Sequence, residues 1–197
     1  MHKQYTPYSL SVLPVLLLLL PLCLLALLPL HTPDEDALGK TNAEERVILL
    51  DPGHGGEDAG AIAASGALEK DLNLQTALLL RDLLVAMGRE VRLTRSTDVL
   101  LYDPQSDYVG HKKEQDLATR LHMAQETPDA LFVSIHMNAY PQAQYSGLQV
   151  WYSPNHALSS TLAENIRTQN QALLQPNNKR KTTCATSAIN ILYNAKC

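Results

Sequence analysis

From Leu10 to Leu30 the chain reads LSVLPVLLLLLPLCLLALLPL, without one charged side chain. A helix needs about 20 apolar residues to cross the hydrocarbon core of a bilayer, and this run supplies them. A buried helix of a soluble domain is a poor alternative, because leucine this dense has no polar face to show to water. His2 and Lys3 precede the run, and Asp34, Glu35 and Asp36 follow it. Positive flanks stay on the cytoplasmic side. The expected order is therefore a cytoplasmic N-terminus over 1–9, a transmembrane signal anchor over 10–30 and a linker over 31–45. The remainder then faces outward from the cell membrane, held by a single pass. Pro14, Pro21 and Pro29 are better tolerated in a bilayer than in water. A cleaved signal peptide is the competing reading. The run is long for one, and no small-x-small site follows it. Either way the rest of the chain is exported.

That rest is roughly 160 residues, enough to bury one hydrophobic core. The formal net charge of the chain is −4, and the one basic cluster is Lys179-Arg180-Lys181. Binding nucleic acid through phosphate contacts needs clustered cations, so no nucleic-acid partner is expected. Cys23, Cys184 and Cys197 cannot build a framework of several bridges, and no C-x-x-C pair is present. Cysteine is not expected as a metal ligand; the thiols are expected to be free.

Strand and helix patterns alternate along the exported part. Arg46 to Asp51 (RVILLD) is a short apolar run closed by Pro52-Gly53, the pattern of a buried strand. Glu69 to Met87 predicts a helix with Leu72, Ala77, Leu80, Leu83, Leu84 and Met87 on its apolar face, stopped by Gly88. Glu90 to Thr94 alternates like a half-buried strand. Arg95 to Glu114 has no clear period, and connections of that length are usually functional or disordered. Gln115 to Gln125 predicts a helix and Ala130 to Ile135 (ALFVSI) a central strand. Leu148 to Tyr152 predicts another strand, Ala157 to Leu174 an amphipathic helix, and Ala188 to Tyr193 a short apolar stretch. The order implies an α/β fold: one mainly parallel or mixed twisted sheet with helices on both faces. Ligands in such folds sit at the carboxyl ends of the strands.

Two histidines stand at such ends. His54 follows the first strand in Asp51-Pro52-Gly53-His54-Gly55-Gly56, and His136 follows the central strand in Ser134-Ile135-His136-Met137-Asn138. Two imidazoles at equivalent ends of one sheet can converge. Glu69, at the start of the next helix, can return its carboxylate to the same rim. Two histidines and one carboxylate form a ligand set of catalytic zinc sites that leaves a position for water. Taken alone, Glu69 is equally a first-turn acid favoured by the helix dipole, and a histidine in a loop is often only a surface residue. His111, His122 and His156 read as surface residues. Gly53, Gly55 and Gly56 let the backbone turn sharply and come close to a ligand. Asp51 or Asp58 can hold the second nitrogen of an imidazole. No G-x-S-x-G elbow and no H-E-x-x-H helix is present.

The strings VILLDPGHGGEDAGA, LEKDLNLQTALLLRDLL, VRLTRSTD and LFVSIHMNA, in that order, resemble the zinc-dependent N-acetylmuramoyl-L-alanine amidases that cut cell-wall peptidoglycan. The resemblance runs from Arg46 to the end, roughly three-quarters of the chain. It implies that His54, Glu69 and His136 bind Zn2+, that Asn138 lies near the metal and contacts substrate, and that the sheet has six strands. The long loop before Asp116 and the membrane anchor are similar to the subgroup that processes spore cortex, where an activating protein partner is a further expectation. The reaction implied is hydrolysis of the amide between N-acetylmuramic acid and L-alanine. A non-catalytic peptidoglycan-binding module and a zinc carboxypeptidase acting on stem peptides are the alternatives.

One departure from the family stands out. Its second, catalytic glutamate lies in a late strand ending V-E-x-G-F-x-S-N, and no such string occurs before Cys197. Glu57, Glu114, Glu126 and Glu164 do not fit that motif. The expectation is a 46–197 domain without its C-terminal part and with no general base of its own. Such a chain should fold poorly alone and be nearly inactive, since a general base contributes about 10² to 10⁴ in rate. Rapid turnover of purified peptidoglycan by these 197 residues would refute it.

Overall fold

The computed structural model describes residues 46–106, 109–127, 129–137 and 146–195. Five strands and four helices alternate among them. They are β1 (Ile48–Pro52), α1 (Glu69–Ala86), β2 (Val91–Leu93), α2 (Lys112–Gln125) and β3 (Leu131–Ile135), then β4 (Trp151–Tyr152), α3 (Ser159–Leu173), β5 (Thr183–Cys184) and α4 (Asn190–Asn194). The α/β reading holds, and every strand pairing is parallel.

β1 lies between β2 and β3. Its register brings Asp51 opposite Ser134 and Pro52 opposite Ile135. Because successive side chains on a strand point to opposite faces, Leu49 and Leu50 serve two different layers, and both are buried. Leu49 packs with Phe132, Ala124, Ala130 and Ala195, flanked by Leu121 and Leu192. That layer joins the sheet to α2 and α4. α1 packs against all three strands of the sheet, with Ala77 buried.

The six-stranded sheet implied by the resemblance is not what the described residues form. They give a three-stranded sheet, β2-β1-β3, and a separate pair, β4-β5. A cavity of about 540 Å³ lies between them, lined by Phe132 and Ser134 of β3, Trp151 and Tyr152 of β4, and Leu162 and Ile191. Among the described residues no strand bridges β3 to β4, so the sheet divides there. β5 had no clear sequence signal, being two residues long in the polar run 176–184. β4 is shorter than the predicted Leu148–Tyr152, and α2 begins at Lys112 rather than Gln115.

The predicted apolar face of α1 needs correcting. Leu72, Leu83 and Met87 are exposed, together with Leu79 and Val85. The buried positions are Glu69, Lys70, Asn73 and Ala77. The helix turns a polar edge inward at its start because that edge serves the loop after β1, and periodicity cannot register hydrogen bonding of that kind.

Polar groups tie the strand ends together. Asp51 accepts hydrogen bonds from Thr94 Oγ1 at 2.7 Å, Ser134 Oγ at 2.7 Å and Arg120 Nη1 at 2.6 Å. Arg120 also donates to Asp116 through Nε at 2.8 Å and Nη2 at 3.1 Å. Burial alone would lower the Arg120 pKa, but Asp116 and Asp51 outweigh it and hold the guanidinium above its ordinary value. Breaking a buried pair strands the surviving charge and costs about 3–5 kcal/mol. Asp51→Ala should therefore lose about that much stability, read from the urea midpoint; a loss under about 1 kcal/mol, the worth of a surface pair, would contradict the account.

No helix among the described residues is long and apolar enough to cross a membrane. The predicted span Leu10–Leu30 and its linker lie outside the described residues, as do Cys23, Asn138 and Cys197. Cys184 is exposed and forms no disulfide.

Candidate metal centre

β1 ends at Pro52 and the chain turns at once through Gly53 and His54. The turn is pinned at its far side, where Gly55 and Asp58 exchange backbone hydrogen bonds at 3.1 and 3.0 Å. This brings the Asp58 carboxylate back to the His54 ring, where Oδ2 lies 2.9 Å from Nδ1. The chain then runs through a second turn closed by Ala63 and Ala67. It enters α1 at Glu69, whose carboxylate points back to the rim.

His54 Nε2 lies 3.3 Å from Glu69 Oε1, and His136 Nδ1 lies 3.0 Å from the same oxygen. The two imidazoles meet edge to face, with centroids 4.9 Å apart and planes at 82°. One ligand atom from each of His54, Glu69 and His136 lies within 4.8 Å of the others. Tetrahedral bonds of about 2.0–2.1 Å put neighbouring ligands ~3.3 Å apart, so the donor set fits a small divalent ion with little movement. Exposure grades across the site: the side chains of Glu69, His54 and His136 are 4%, 16% and 40% exposed. The most exposed of the three is His136.

Glu69 is held at both oxygens. Oε2 accepts the Ala61 N–H at 2.8 Å and Oε1 accepts the Met137 N–H at 3.0 Å. Burial pushes this carboxyl up, but the Ala61 amide and the two imidazoles outweigh it and hold the pKa below the ordinary value. Asp58 behaves alike, its burial overcome by the hydrogen bond and charge of His54. Both groups therefore favour the carboxylate form, as metal ligation and an outer-shell imidazole partner require.

The predicted ligands thus come together, and Asp58 rather than Asp51 holds the second nitrogen of His54. Asp51 is occupied beneath the site by Thr94, Ser134 and Arg120. His111 and His122 are exposed and lie beside Glu114 and Glu126, at 2.9 and 3.9 Å; His156 Nδ1 accepts the Leu158 N–H. None of the three joins the cluster. The glycines do allow close approach, though to side chains and backbone of the protein itself. A Cβ at Gly53 would sit 2.2 Å from His136 Cε1, and one at Gly60, where φ is +65°, would sit 2.7 Å from His54 Cδ2.

The residues that sequence reasoning missed lie one layer below. Arg95, Arg120, Asn73 and Lys70 donate to carbonyls of the loop after β1. His54 has φ 63°, unusual for a side chain other than glycine, a conformation that costs about 1–3 kcal/mol and persists only where surroundings hold it. Thr94, Arg95 and Asp98 all stand in the string VRLTRSTD, but nothing in that string announces which backbone atoms they reach.

A sequence model described as N-acetylmuramoyl-L-alanine amidase matches residues 48–196. The chain is 36% identical over 122 residues to a germination-specific N-acetylmuramoyl-L-alanine amidase of Bacillus subtilis, covering 62% of this chain and 51% of that protein. It is 35% identical over 127 residues to the amidase AmiA of Escherichia coli, covering 64% of this chain and 38% of that one. The chain thus spans about half of the first of these relatives and less of the second. The solved CwlD amidase from Clostridioides difficile, in complex with the GerS lipoprotein, superposes with a TM-score of 0.71 at 32% identity, covering 77% of each chain. The catalytic domain of CwlV from Paenibacillus polymyxa gives 0.55 at 27% identity, covering 73% of this chain and 72% of that one.

Two outcomes follow from the geometry. Gly53→Ala pushes the His136 ring off Glu69, so divalent-ion affinity in a chelator competition should fall by the ~10- to 100-fold typical of changes next to metal ligands. Asp98 is the second case. Its hydrogen bond from Lys70 Nζ at 2.6 Å holds its pKa below the ordinary 3.8. The folded state prefers the carboxylate, so that contribution is complete above pH 3.8 and is lost as pH falls through the lower folded value. The stability gap between wild type and Asp98→Asn should be constant from about pH 5 to 7 and close on further acidification. A gap independent of pH would contradict this.

Proposed function

The chain belongs to the N-acetylmuramoyl-L-alanine amidase family, and from that premise we propose that its His54–Glu69–His136 centre takes Zn2+ and hydrolyses the amide joining N-acetylmuramic acid to L-alanine in peptidoglycan. One observation carries the reading: two imidazoles and a buried carboxylate converge within 4.8 Å, with the third ligand, His136, open to solvent.

When bound, zinc lowers the pKa of its water towards neutrality and polarises a carbonyl. The chain's own residues make that site. Asp58 holds the His54 ring through Nδ1 and leaves Nε2 for ligation. Glu69 is fixed by two backbone amides. The exposure of His136 sets the direction of substrate approach. Among the described residues no second free carboxylate joins the three ligands. Asp58 is engaged by His54 and Lys113, and Glu57 by Lys112.

The charge-free run Leu10–Leu30 supports anchoring of the domain at the outer face of the cell membrane. The name of the Bacillus subtilis relative, a germination-specific amidase, supports a role in germination. The complex formed by the Clostridioides difficile relative supports a protein partner.

Zinc stoichiometry and end-group analysis of digested peptidoglycan test the reading together. One zinc per chain is expected, lost in His54→Ala, Glu69→Ala and His136→Ala, with slow release of new L-alanine amines by the wild type alone. Zinc bound without new amines would favour the binding module. Release of C-terminal stem-peptide residues would favour a carboxypeptidase. Zinc undiminished in His54→Ala would defeat the site itself.

A further inference from the structure

The loop that presents His54 is held by its carbonyl oxygens. Pro52 O accepts from Arg95 Nε at 2.9 Å and from Arg120 Nη1 at 2.9 Å. Gly53 O accepts from Arg95 Nη2 at 3.0 Å and Asn73 Nδ2 at 3.1 Å. His54 O accepts from Arg120 Nη2 at 2.8 Å. Three successive carbonyls thus face two buried guanidiniums.

The two arginines reach different elements with the same nitrogens. Arg95 Nη2 also donates to Lys70 O at 2.8 Å, in the turn of α1 that begins with Glu69. Arg95 Nη1 donates to Thr97 O at 3.0 Å. All four of its hydrogen bonds go to backbone. Arg120 Nη2 also donates to Asp116 Oδ1, which accepts the Leu101 N–H. One guanidinium therefore ties the His54 turn to the helix that carries Glu69. The other ties it to α2 and, through Asp51, to the strand ends.

We propose that Arg95 and Arg120 are positioning residues for the metal centre: by gripping the carbonyls of residues 52–54 they keep His54 in its left-handed conformation, with its imidazole aimed at Glu69 and His136. His54 is a non-glycine residue at φ 63°, and nothing in its own chemistry keeps it there. Released, its backbone rotates to negative φ and the imidazole swings away from the other two ligands. Arginine is required because its planar fork serves acceptors on two chain segments at once; a lysine ammonium at the end of a flexible stem does not hold that geometry.

The inference rests on the metal-site reading above, and its test separates the two. Full-length Arg95→Lys and Arg120→Lys are loaded with Zn2+ against a chromophoric chelator and, separately, saturated with Co2+ for visible spectra. Thermal unfolding of the metal-free forms is recorded alongside. Each variant should bind zinc ~10- to 100-fold more weakly than wild type, with the Co2+ bands altered in position or intensity at saturation. Wild-type zinc affinity and an unchanged Co2+ spectrum, with only the metal-free melting temperature lowered, would overturn the proposal and leave the arginines a purely structural role. Should either lysine variant fail to fold, Asn73→Ser removes one donor from Gly53 O and should weaken zinc in the same direction by a smaller factor; unchanged affinity there overturns it as well. Failure of the wild type to bind any metal defeats the site reading instead.

Discussion

Asp51 is a carboxylate on the central strand, buried from solvent. Three donors from three other parts of the chain reach it: Thr94 after β2, Ser134 in β3 and Arg120 in α2. Desolvating such a group is costly unless its lone pairs are filled and a counter-charge is close. Here both conditions are met, and meeting them fixes where the carboxyl ends of the strands stand relative to α2. The buried pair is not chiefly a source of stability. It selects one arrangement of four elements, which is what a site assembled from distant residues needs.

That arrangement is transmitted to the metal centre through backbone carbonyls. The turn after β1 has little apolar material with which to pack itself, since it is mostly glycine. Its conformation comes from Arg95, Arg120, Asn73 and Lys70, which approach from outside it. A turn held this way can carry a strained residue, and His54 is one. The Glu69 side is held by amides instead, with Ala61 and Met137 each donating to one carboxylate oxygen. The result is a buried, fixed carboxylate beneath one shielded and one accessible imidazole.

The rest of the described fold is less closed. β3 pairs with β1, and β4 with β5, and the apolar cavity between the two sheets runs along β3 to His136 at its end. Leu79, Leu83 and Met87 lie along one exposed side of α1. Among the described residues, most of β1, the start of α1, and Thr94 and Arg95 after β2 are buried, and these build the candidate metal centre.

The sequence by itself determined the α/β alternation, the places of β1, α1, β3 and α3, and the three side chains that converge, His54, Glu69 and His136. These depend on local chemistry: runs of Val, Ile and Leu closed by Pro-Gly, helical spacing, and histidines at strand ends. It misjudged Leu72, Leu83 and Met87, because periodicity finds an apolar face without saying whether anything covers it. It left open whether Asp51 or Asp58 serves His54, and gave no role to Arg95, Arg120 or Asn73. Those answers needed tertiary structure. Hydrogen bonds between residues 40 to 70 positions apart leave no mark on local pattern, and a buried arginine is spelled like an exposed one.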